Sequence, residues 1–387
     1  MENFVLESPT KIIFGRDTLP LLGRETIALG RKVLLVYGRQ SLKRNNLHQQ
    51  ICGYLRDSGL EIIEHGGVTS NPLLSHVRQG VELAKKHEVE VIIAAGGGSV
   101  IDSAKAIAAG AVVKHDVWKF FSAKKGITAP LPVGCVLTLA ASGSEMNGGM
   151  VLTNDEKRLK LGAGNKKICP RFSILDPTLT FSVPADYTAY GAVDAVAHIL
   201  EAYFNASGRN TAIQDRFMEG LIINIMEACE ATLASPDNYE TRANLMWGAT
   251  LALNGWARAG LGITGFPMHL IEHTMSALFN TPHGAGLAVV IPAWMEWRLE
   301  QKPEKFAQFA ARIFNITEGG VTERARQGLQ HLRAWISRAG CPLTLKELGI
   351  NESAIPELAA NAQPQAKIWR LPEYDIDTIC DILRLSR

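Results

Sequence analysis

The sequence of 387 residues has few cysteines, little net charge and no long apolar run. Its six cysteines form no CxxC pair and no regular spacing, which is typical of free thiols in a reducing compartment. A net charge of +2 gives no large field that would recruit nucleic acid or an anionic membrane. No apolar run approaches the length of a bilayer span, and the N-terminus MENFVLESPTKIIFG is not typical of a signal peptide. We therefore expect a cytoplasmic protein without nucleic-acid or membrane partners.

Short apolar runs alternate with helical patterns in roughly the first 180 residues, after which helices dominate. The apolar runs predict strands at 32–37, 60–65, 89–95, 131–138 and 172–176. One intervening helix is expected at 72–87, with Asn71 as its N-cap. Beyond Asp176 the pattern predicts helices at 184–204, 210–234, 239–257, 267–279, 284–300, 303–313 and 321–339. The chain thus divides into an α/β domain with a mostly parallel sheet, residues 1–181, and an all-helical domain, residues 182–387.

The α/β half lacks both the GxGxxG fingerprint and a Walker A loop, but it carries another glycine-rich turn. In VIIAAGGGSVIDSAK (91–105) a buried strand runs into three glycines and Ser99, and a helix begins at once. Free N–H groups at a helix start and a backbone without side chains favour an anion such as pyrophosphate. Asp102 suits the start of this helix and could reach a nicotinamide amide. A tight turn without a ligand is the alternative, and Lys105 could be a solvated helix residue.

Two further loops follow strands in the α/β half. Thr138, Ser142 and Ser144 suit phosphate and ribose, although the Ser-Gly-Ser-Glu run also fits the start of a helix. The strand ending at Tyr37-Gly38 has no acid after it to hold a ribose 2′-hydroxyl. Instead it is followed by Arg39, Ser41, Lys43 and Arg44, which suit a 2′-phosphate or form an exposed basic helix start.

Four residues of the helical half form a candidate metal site. Asp194 and His198 lie four apart in an apolar helical run, so they share one face. His269 begins HLIEH, and His283 follows fourteen residues later in NTPHGAG. A buried lone carboxylate is costly unless a cation accompanies it. Three imidazoles and one carboxylate suit Zn²⁺ or Fe²⁺ rather than Mg²⁺ or Ca²⁺. Unrelated buried polar pairs are the alternative.

Together these motifs resemble the metal-dependent group III, or iron-containing, alcohol dehydrogenases, especially the NADP(H)-dependent butanol dehydrogenases and aldehyde reductases. The resemblance rests on GGGSVIDSAK, TLAASGSEMN, DAVAH and HLIEHTMSALFNTPHGAGLA in this order. It implies a dehydroquinate-synthase-like fold with the active site in a cleft between the domains, and the same four metal ligands. It also implies that His273 lies near the substrate without binding the metal. The cofactor contacts expected from motif and resemblance are Gly38, Arg39, Ser41, Gly97, Gly98, Ser99, Asp102, Thr138, Ser142, Ser144 and Leu179.

The chain also departs from the family pattern. Arg39 stands where the NADP-preferring branch often has glycine, and Ser142 stands where threonine is commoner. The segment GLGITGFPM before His269 lacks the expected tryptophan, which affects the prediction of substrate more than that of chemistry.

These features predict a metal-dependent enzyme that interconverts primary alcohols and aldehydes by hydride transfer with NADP(H), or less favourably NAD(H). His273 is the candidate proton relay or an orienting histidine, and Asp102 is the second candidate catalytic residue. The substrate is expected to be small and uncharged, because Trp256, Phe266, Met268, Met275 and Phe279 surround the metal-binding segments. A dehydroquinate-synthase-like lyase, a glycerol(-phosphate) dehydrogenase and a non-catalytic nucleotide-binding scaffold are the alternatives. We also expect a homodimer.

Overall fold

A computed structural model describes residues 1–44, 46–208 and 210–386, with only the backbone described for Ser41 and Arg44. The chain forms two compact units. One comprises residues Glu7–Val183 with Asp237–Met246, and the other comprises Met1–Leu6, Pro184–Pro236 and Trp247–Arg387. Among the described residues, the helices lack the combination of length and hydrophobicity that a bilayer span needs.

The first unit is built on a parallel sheet that, within the described residues, has six strands in the order β1-β8-β5-β4-β2-β3. These strands are β1 (Lys11–Phe14), β2 (Lys32–Gly38), β3 (Glu61–Val68), β4 (Val91–Gly96), β5 (Val133–Leu137) and β8 (Phe172–Leu175). β4 is buried at every position. Parallel strands buried on both faces read as continuous apolar runs, which is why the sequence predicts them well.

Helices connect the strands, and an antiparallel hairpin is added after β5. The helices are α1 (Leu22–Ile27), α2 (Ser41–Arg44), α3 (Leu47–Asp57), α4 (Leu74–Lys86), α5 (Gly98–Ala111) and α6 (Trp118–Phe121). The hairpin pairs β6 (Gly149–Asn154) with β7 (Leu159–Gly164). Short 3₁₀ helices lie at Leu19–Leu21, Ser144–Met146, Lys166–Ile168 and Pro177–Thr180.

The second unit is helical. Its helices are α7 (Ala185–Asn205), α8 (Ala212–Ala234), the second part of α9 (Tyr239–Ala252), α10 (Pro267–Phe279), α11 (His283–Leu299), α12 (Pro303–Ile313), α13 (Val321–Arg338), α14 (Ile355–Trp369) and α15 (Ile376–Arg384). Single 3₁₀ turns lie at Trp256–Arg258 and Glu352–Ala354. α7 packs on α8 and α11, and α10 packs on α11 and α14. α7 is buried over most of its surface, so its polar residues need partners inside the protein.

The predicted fold class is confirmed, and the differences are local. All five predicted strands exist, whereas β1 and the β6–β7 hairpin are absent from the prediction. The helix expected from Pro72 starts at Leu74, with Leu73 rather than Asn71 at the N-cap position, and Lys160 Nζ donates to Asn71 Oδ1 at 3.1 Å. The helix expected to reach residue 257 ends at Ala252.

Candidate active site

Except for Leu179, the predicted cofactor residues of the first unit follow the carboxyl ends of three adjacent strands. β5, β4 and β2 are neighbours in the sheet, with Gly96 opposite Leu137 and Tyr37 opposite Ala95. The chain goes outward from β2 to β3 and then returns to β4 on the other side of β2. Such a reversal of strand order opens a crevice at the carboxyl ends of the strands, which is where ligands bind in doubly wound sheets.

The glycine loop (residues 96–99) and the serine loop (residues 138–148) touch at this edge. Thr138 N donates to the Gly96 carbonyl at 3.2 Å. A Cβ on Gly98 would lie 2.2 Å from Ser142 Oγ, so only glycine allows α5 to start this close to the serine loop. Gly97 is the extended N-cap residue, and Ser99 Oγ donates to the Ser70 carbonyl. The structure thus brings the predicted residues Gly97, Gly98, Thr138 and Ser142 together at one helix N-terminus.

Asp102 and Lys105, both on α5, hydrogen-bond to the serine loop. Asp102 accepts hydrogen bonds from Ser144 Oγ at 2.6 Å and from Val151 N at 2.9 Å. Lys105 is 0% exposed, so the alternative of a solvated lysine is wrong. Its Nζ lies 2.6–2.8 Å from the carbonyl oxygens of Ser144, Asn147 and Gly149. Burial raises the pKa of Asp102 and lowers that of Lys105, and the charge of each opposes the shift of the other.

The basic segment after β2 is exposed where it can be described. Gly38 ends β2, and Arg39 follows it with an exposed side chain, while the side chain of Ser41 lies outside the described part of the chain. Glu64 is a carboxylate close to Tyr37, and its Oε2 accepts hydrogen bonds from Tyr37 OH at 2.9 Å and His48 Nε2 at 2.8 Å. This acid is therefore already engaged by protein groups.

Leu179 and the 3₁₀ turn Pro177–Thr180 follow β8. Leu179 packs against the apolar cluster that includes the side chains of β2 and β4. Asp176 caps this turn by accepting from Thr178 N at 2.9 Å. The turn is therefore fixed on the sheet.

In the second unit, three imidazoles point at one carboxylate oxygen. The Nε2 atoms of His198, His269 and His283 lie 3.5, 3.6 and 3.6 Å from Asp194 Oδ1. Asp194 and His198 are one turn apart on α7, His269 lies in the first turn of α10, and His283 is the first residue of α11. All four predicted metal ligands are thus adjacent in space.

These distances fit a shared cation better than hydrogen bonds. Asp194 Oδ1 and His269 Nε2 are buried and make no hydrogen bond among the described residues. Ligand atoms about 2.0–2.2 Å from a tetrahedral zinc ion are about 3.4 Å from one another, close to the spacing observed. One carboxylate with three imidazoles is a donor set for Zn²⁺ or Fe²⁺. The residues present therefore fit a divalent metal.

Burial and charge act in opposite directions on the pKa values of this cluster. Burial alone would raise the pKa of Asp194, but the charges of His198, His283 and His269 lower it far below its usual range. Burial lowers the pKa of His198 to about 3, against the attraction of Asp194. Burial would also lower the pKa of His269, yet the carboxylates of Asp194 and Glu201 raise it to about 9. The buried Asp194 carboxylate therefore attracts positive charge, whether from a histidine or from a metal ion.

Aromatic rings lie beside the histidines of this cluster. The Phe266 ring is 5.4 Å from that of His269 and 5.9 Å from that of Trp369. The buried His273 ring lies 5.6 Å from that of His283 and 5.7 Å from that of Trp369, between centroids. Arg258 Cζ lies 4.4 Å from the centre of the Phe266 ring, so the guanidinium group packs against the face of this ring.

The other predicted apolar residues differ in their exposure. Met268 and Met275 are fully buried in α10, whereas Trp256 and Phe279 are 42% and 40% exposed.

Sequence reasoning missed three residues of this neighbourhood. Trp369 comes from α14, a helix that the sequence analysis did not predict. Glu201 and Glu272 are 0% exposed and contact the ring nitrogens of His269 and His283 that face away from Asp194. Glu201 could have been noticed, because positions 194, 198 and 201 follow helical spacing on one face. Nothing in the sequence pattern indicates that α14 contacts His273.

Comparison with known proteins agrees with this geometry. Residues 9–177 match the family described as "Iron-containing alcohol dehydrogenase", and residues 188–385 match "Fe-containing alcohol dehydrogenase family, C-terminal". The chain is 39% identical over 389 residues to the "Probable NADH-dependent butanol dehydrogenase 1" of Bacillus subtilis (strain 168), with 100% of both chains covered. It is 36% identical over 379 residues to the "NADPH-dependent aldehyde reductase YqhD" of Escherichia coli (strain K12), with 97% of each covered.

The fold is also that of a solved relative. The crystal structure of NADH-dependent butanol dehydrogenase A from Thermotoga maritima superposes with a TM-score of 0.95 at 41% identity, covering 100% of this chain and 99% of that chain. The family expected from the motifs is therefore confirmed. This chain belongs to the iron-containing alcohol dehydrogenase family.

Proposed function

We propose that this chain interconverts primary alcohols and aldehydes with NADP(H), using one divalent metal ion held by Asp194, His198, His269 and His283. Family membership and the names of the relatives support the predicted enzyme class, an alcohol–aldehyde oxidoreductase. One observation carries the metal assignment. Three imidazole Nε2 atoms converge at 3.5–3.6 Å on Asp194 Oδ1, a buried oxygen for which the described residues offer no hydrogen bond.

A bound Fe²⁺ or Zn²⁺ supplies Lewis-acid polarisation of the aldehyde oxygen, and a bound nicotinamide supplies or accepts the hydride. Asp194 contributes the negative charge of the ligand set, and the three imidazoles contribute neutral nitrogen donors. His273 is buried beside His283, where it can hold or move the proton of the substrate oxygen. Phe266 and Trp369 place apolar rings beside His269 and His273.

The nucleotide is assigned to the carboxyl edge of the sheet. The first N–H groups of α5, at Gly98 and Ser99, suit the pyrophosphate, because they have no partner within the helix. Thr138 and Ser142 lie beside them and offer hydroxyl groups to phosphate or ribose. Leu179 is proposed to pack near the nicotinamide. Asp102 has both carboxylate oxygens hydrogen-bonded to Ser144 and Val151, so a role at the nicotinamide would use their remaining lone pairs.

NADP(H) is proposed over NAD(H) because of the segment that follows β2. Residues 38–46, GRQSLKRNN, contain no acid, and Arg39 is exposed directly after the strand. Glu64, which could otherwise bind a ribose hydroxyl, is held by Tyr37 and His48. The relatives do not decide the choice, since the Bacillus subtilis protein is named NADH-dependent and the Escherichia coli protein NADPH-dependent.

The substrate is proposed to be a small-to-medium uncharged aldehyde or primary alcohol. The rings of Phe266 and Trp369 lie beside His269 and His273 and suit an alkyl chain. No lysine or arginine occurs between His269 and His283. A carboxylate or phosphate on the substrate would lose its hydration without a partner from this segment.

Metal removal tests the proposed function. Chelation and His269→Ala should each abolish aldehyde reduction. NADPH binding, measured by nicotinamide fluorescence, should persist, because the proposed nucleotide residues belong to the other unit. Return of activity on adding Fe²⁺ or Zn²⁺ to the chelated parent protein is the positive control. Reduction at the full rate by protein shown to be metal-free by mass spectrometry would refute the proposal.

The homodimer and the cytoplasmic location remain proposals that rest on the family resemblance and the sequence. Light scattering coupled to size exclusion would give the mass of the assembly. Cell fractionation would give the location.

A further inference from the structure

Two of the proposed metal ligands have a buried carboxylate on their second ring nitrogen. Glu201, on α7, accepts from His269 Nδ1 at 3.1 Å and from the His269 backbone N–H at 2.9 Å. Its other oxygen accepts from Asn205 Nδ2 at 3.3 Å. Glu201 is 0% exposed, so these groups replace the water that its charge would otherwise bind.

Glu272 makes the equivalent contact with His283. Its Oε2 accepts from His283 Nδ1, and its Oε1 accepts from Ser276 Oγ at 2.5 Å. A Cβ on Gly286 would lie 2.8 Å from Glu272 Cγ, so glycine at this position of α11 makes room for the carboxylate. Glu272 lies between His269 and His273 on α10, yet its carboxylate hydrogen-bonds His283 on the next helix, α11.

These contacts decide which nitrogen faces Asp194. When Nδ1 carries the proton and donates it to a carboxylate, the lone pair of the neutral ring is on Nε2. In both histidines Nε2 is the atom that lies 3.6 Å from Asp194 Oδ1. A carboxylate on the far nitrogen also makes the imidazole a stronger donor. His198 differs, because its Nδ1 has no hydrogen-bond partner among the described residues.

We propose that Glu201 and Glu272 are positioning residues of the metal site, which fix the tautomer and ring orientation of His269 and His283 and thereby set metal affinity. This inference rests on the proposed function, since it requires that the histidines bind a metal. The two carboxylates do not act alike. Glu201 also binds the backbone at the start of α10, whereas Glu272 binds the ring of His283 and a serine side chain.

Glu272→Gln is the sharpest variant, because glutamine keeps the shape of the side chain but removes its charge. Metal-free parent and variant are titrated with Zn²⁺ in competition with a chelator of known affinity. We expect the Kd for Zn²⁺ to rise roughly 10- to 100-fold, the usual effect of losing such a partner. Glu230→Gln is the matched control, since it removes a carboxylate from the same helical unit, where Glu230 pairs with Arg338 at the surface. Its Kd should equal that of the parent.

A second readout separates positioning from general support of the fold. Co²⁺-loaded Glu272→Gln should show a shifted visible ligand-field spectrum, while the metal-free circular dichroism stays that of the parent. If Glu272→Gln does not fold, Ser276→Ala is the milder variant, because it keeps the Glu272 carboxylate and removes the hydroxyl that contacts Oε1 and the Thr281 carbonyl. It should raise the Kd severalfold.

The outcomes distinguish the inference from the proposed function. If the parent binds Zn²⁺ one to one, Asp194→Asn loses it, and the Glu272 and Ser276 variants keep the parent Kd and spectrum, the positioning role is wrong and the metal site stands. If the parent protein binds no metal ion in stoichiometric amount, the proposed function is wrong, and the positioning role is wrong with it.

Discussion

Lys105→Met should destabilise the α/β unit and weaken nucleotide binding without changing the metal site. Lys105 is 0% exposed, and its ammonium group contacts the carbonyl oxygens of Ser144, Asn147 and Gly149 at 2.6–2.8 Å. Methionine fills similar volume but leaves these acceptors and the Asp102 carboxylate without their cation. Those acceptors belong to the serine loop and the hairpin after it, which lie against α5.

Removing one partner of a buried charge pair costs about 3–5 kcal/mol, and the lower value applies here because Asp102 is only partly buried and Lys105 acts on it through charge attraction. At roughly 2–4 °C per kcal/mol for a unit of this size, the melting temperature should fall by about 6–12 °C. The assay is thermal denaturation with and without NADPH, together with Zn²⁺ titration. The control is Lys124→Met, which changes an exposed lysine of the same unit.

A double variant tests the cause of the loss. If much of the cost comes from the stranded charge of Asp102, Asp102→Asn combined with Lys105→Met should melt at a higher temperature than Lys105→Met alone. Melting of Lys105→Met within about 1 °C of the parent, well inside the expected shift, would refute the reasoning. So would an unchanged Kd for NADPH.

Arg39→Asp should shrink or reverse a preference for NADPH, because one charge-assisted contact contributes about 1.5–3 kcal/mol, or roughly one to two powers of ten in affinity. Equal kcat/KM values for NADPH and NADH in the parent would rule this out. Butanal should give a higher kcat/KM than succinic semialdehyde. A kcat/KM profile that peaks on the charged aldehyde would contradict the proposed apolar site. If Arg258→Met then lost the activity on the charged aldehyde, Arg258 would be the partner of the substrate carboxylate. Burial and the charge of His76 lower the pKa of His65 to about 4. Between about pH 6.5 and 4 the unfolded chain therefore binds more protons than the folded protein. As the pH falls through that window, the free energy of unfolding should decrease by up to about 3 kcal/mol. Urea denaturation of His65→Gln should show a flatter pH dependence there, and parallel curves for parent and variant would disprove it.

The parts of the fold that the sequence predicts are those in which local pattern and tertiary burial agree. β4 is buried on both faces and reads as a continuous apolar run, and the glycines after it mark the turn into α5. The hairpin is different, because β7, LKLGAG, is short and rich in glycine. α14 carries Pro364 within the helix, which weakens the helical pattern. Both elements depend on packing that a local pattern does not record.

The residues of the candidate site also differ in how far the sequence alone predicts them. Ligand types and spacing indicate the four metal residues, because chemistry limits what can bind a cation. The partners of those residues come from distant positions: Glu201 precedes His269 by 68 residues, and Glu272 precedes His283 by 11. Lys105 illustrates the same limit, since a lysine in an alanine-rich helix can be solvated or buried. Its partners, 39–44 residues later, decide which.

Three carboxylates, Asp194, Glu201 and Glu272, lie within this part of the helical unit, each 4% exposed or less. Burial raises the pKa of Glu201, whereas the charges of the neighbouring histidines hold the pKa of Asp194 far below its usual range. A divalent cation adjacent to Asp194 offsets two charges, and the Nδ1–H groups of His269 and His283 hydrogen-bond the other two carboxylates. The metal and these carboxylates therefore stabilise one another, because each would be costly to bury alone. It follows that the ion proposed for catalysis also contributes to the packing of α7, α10 and α11.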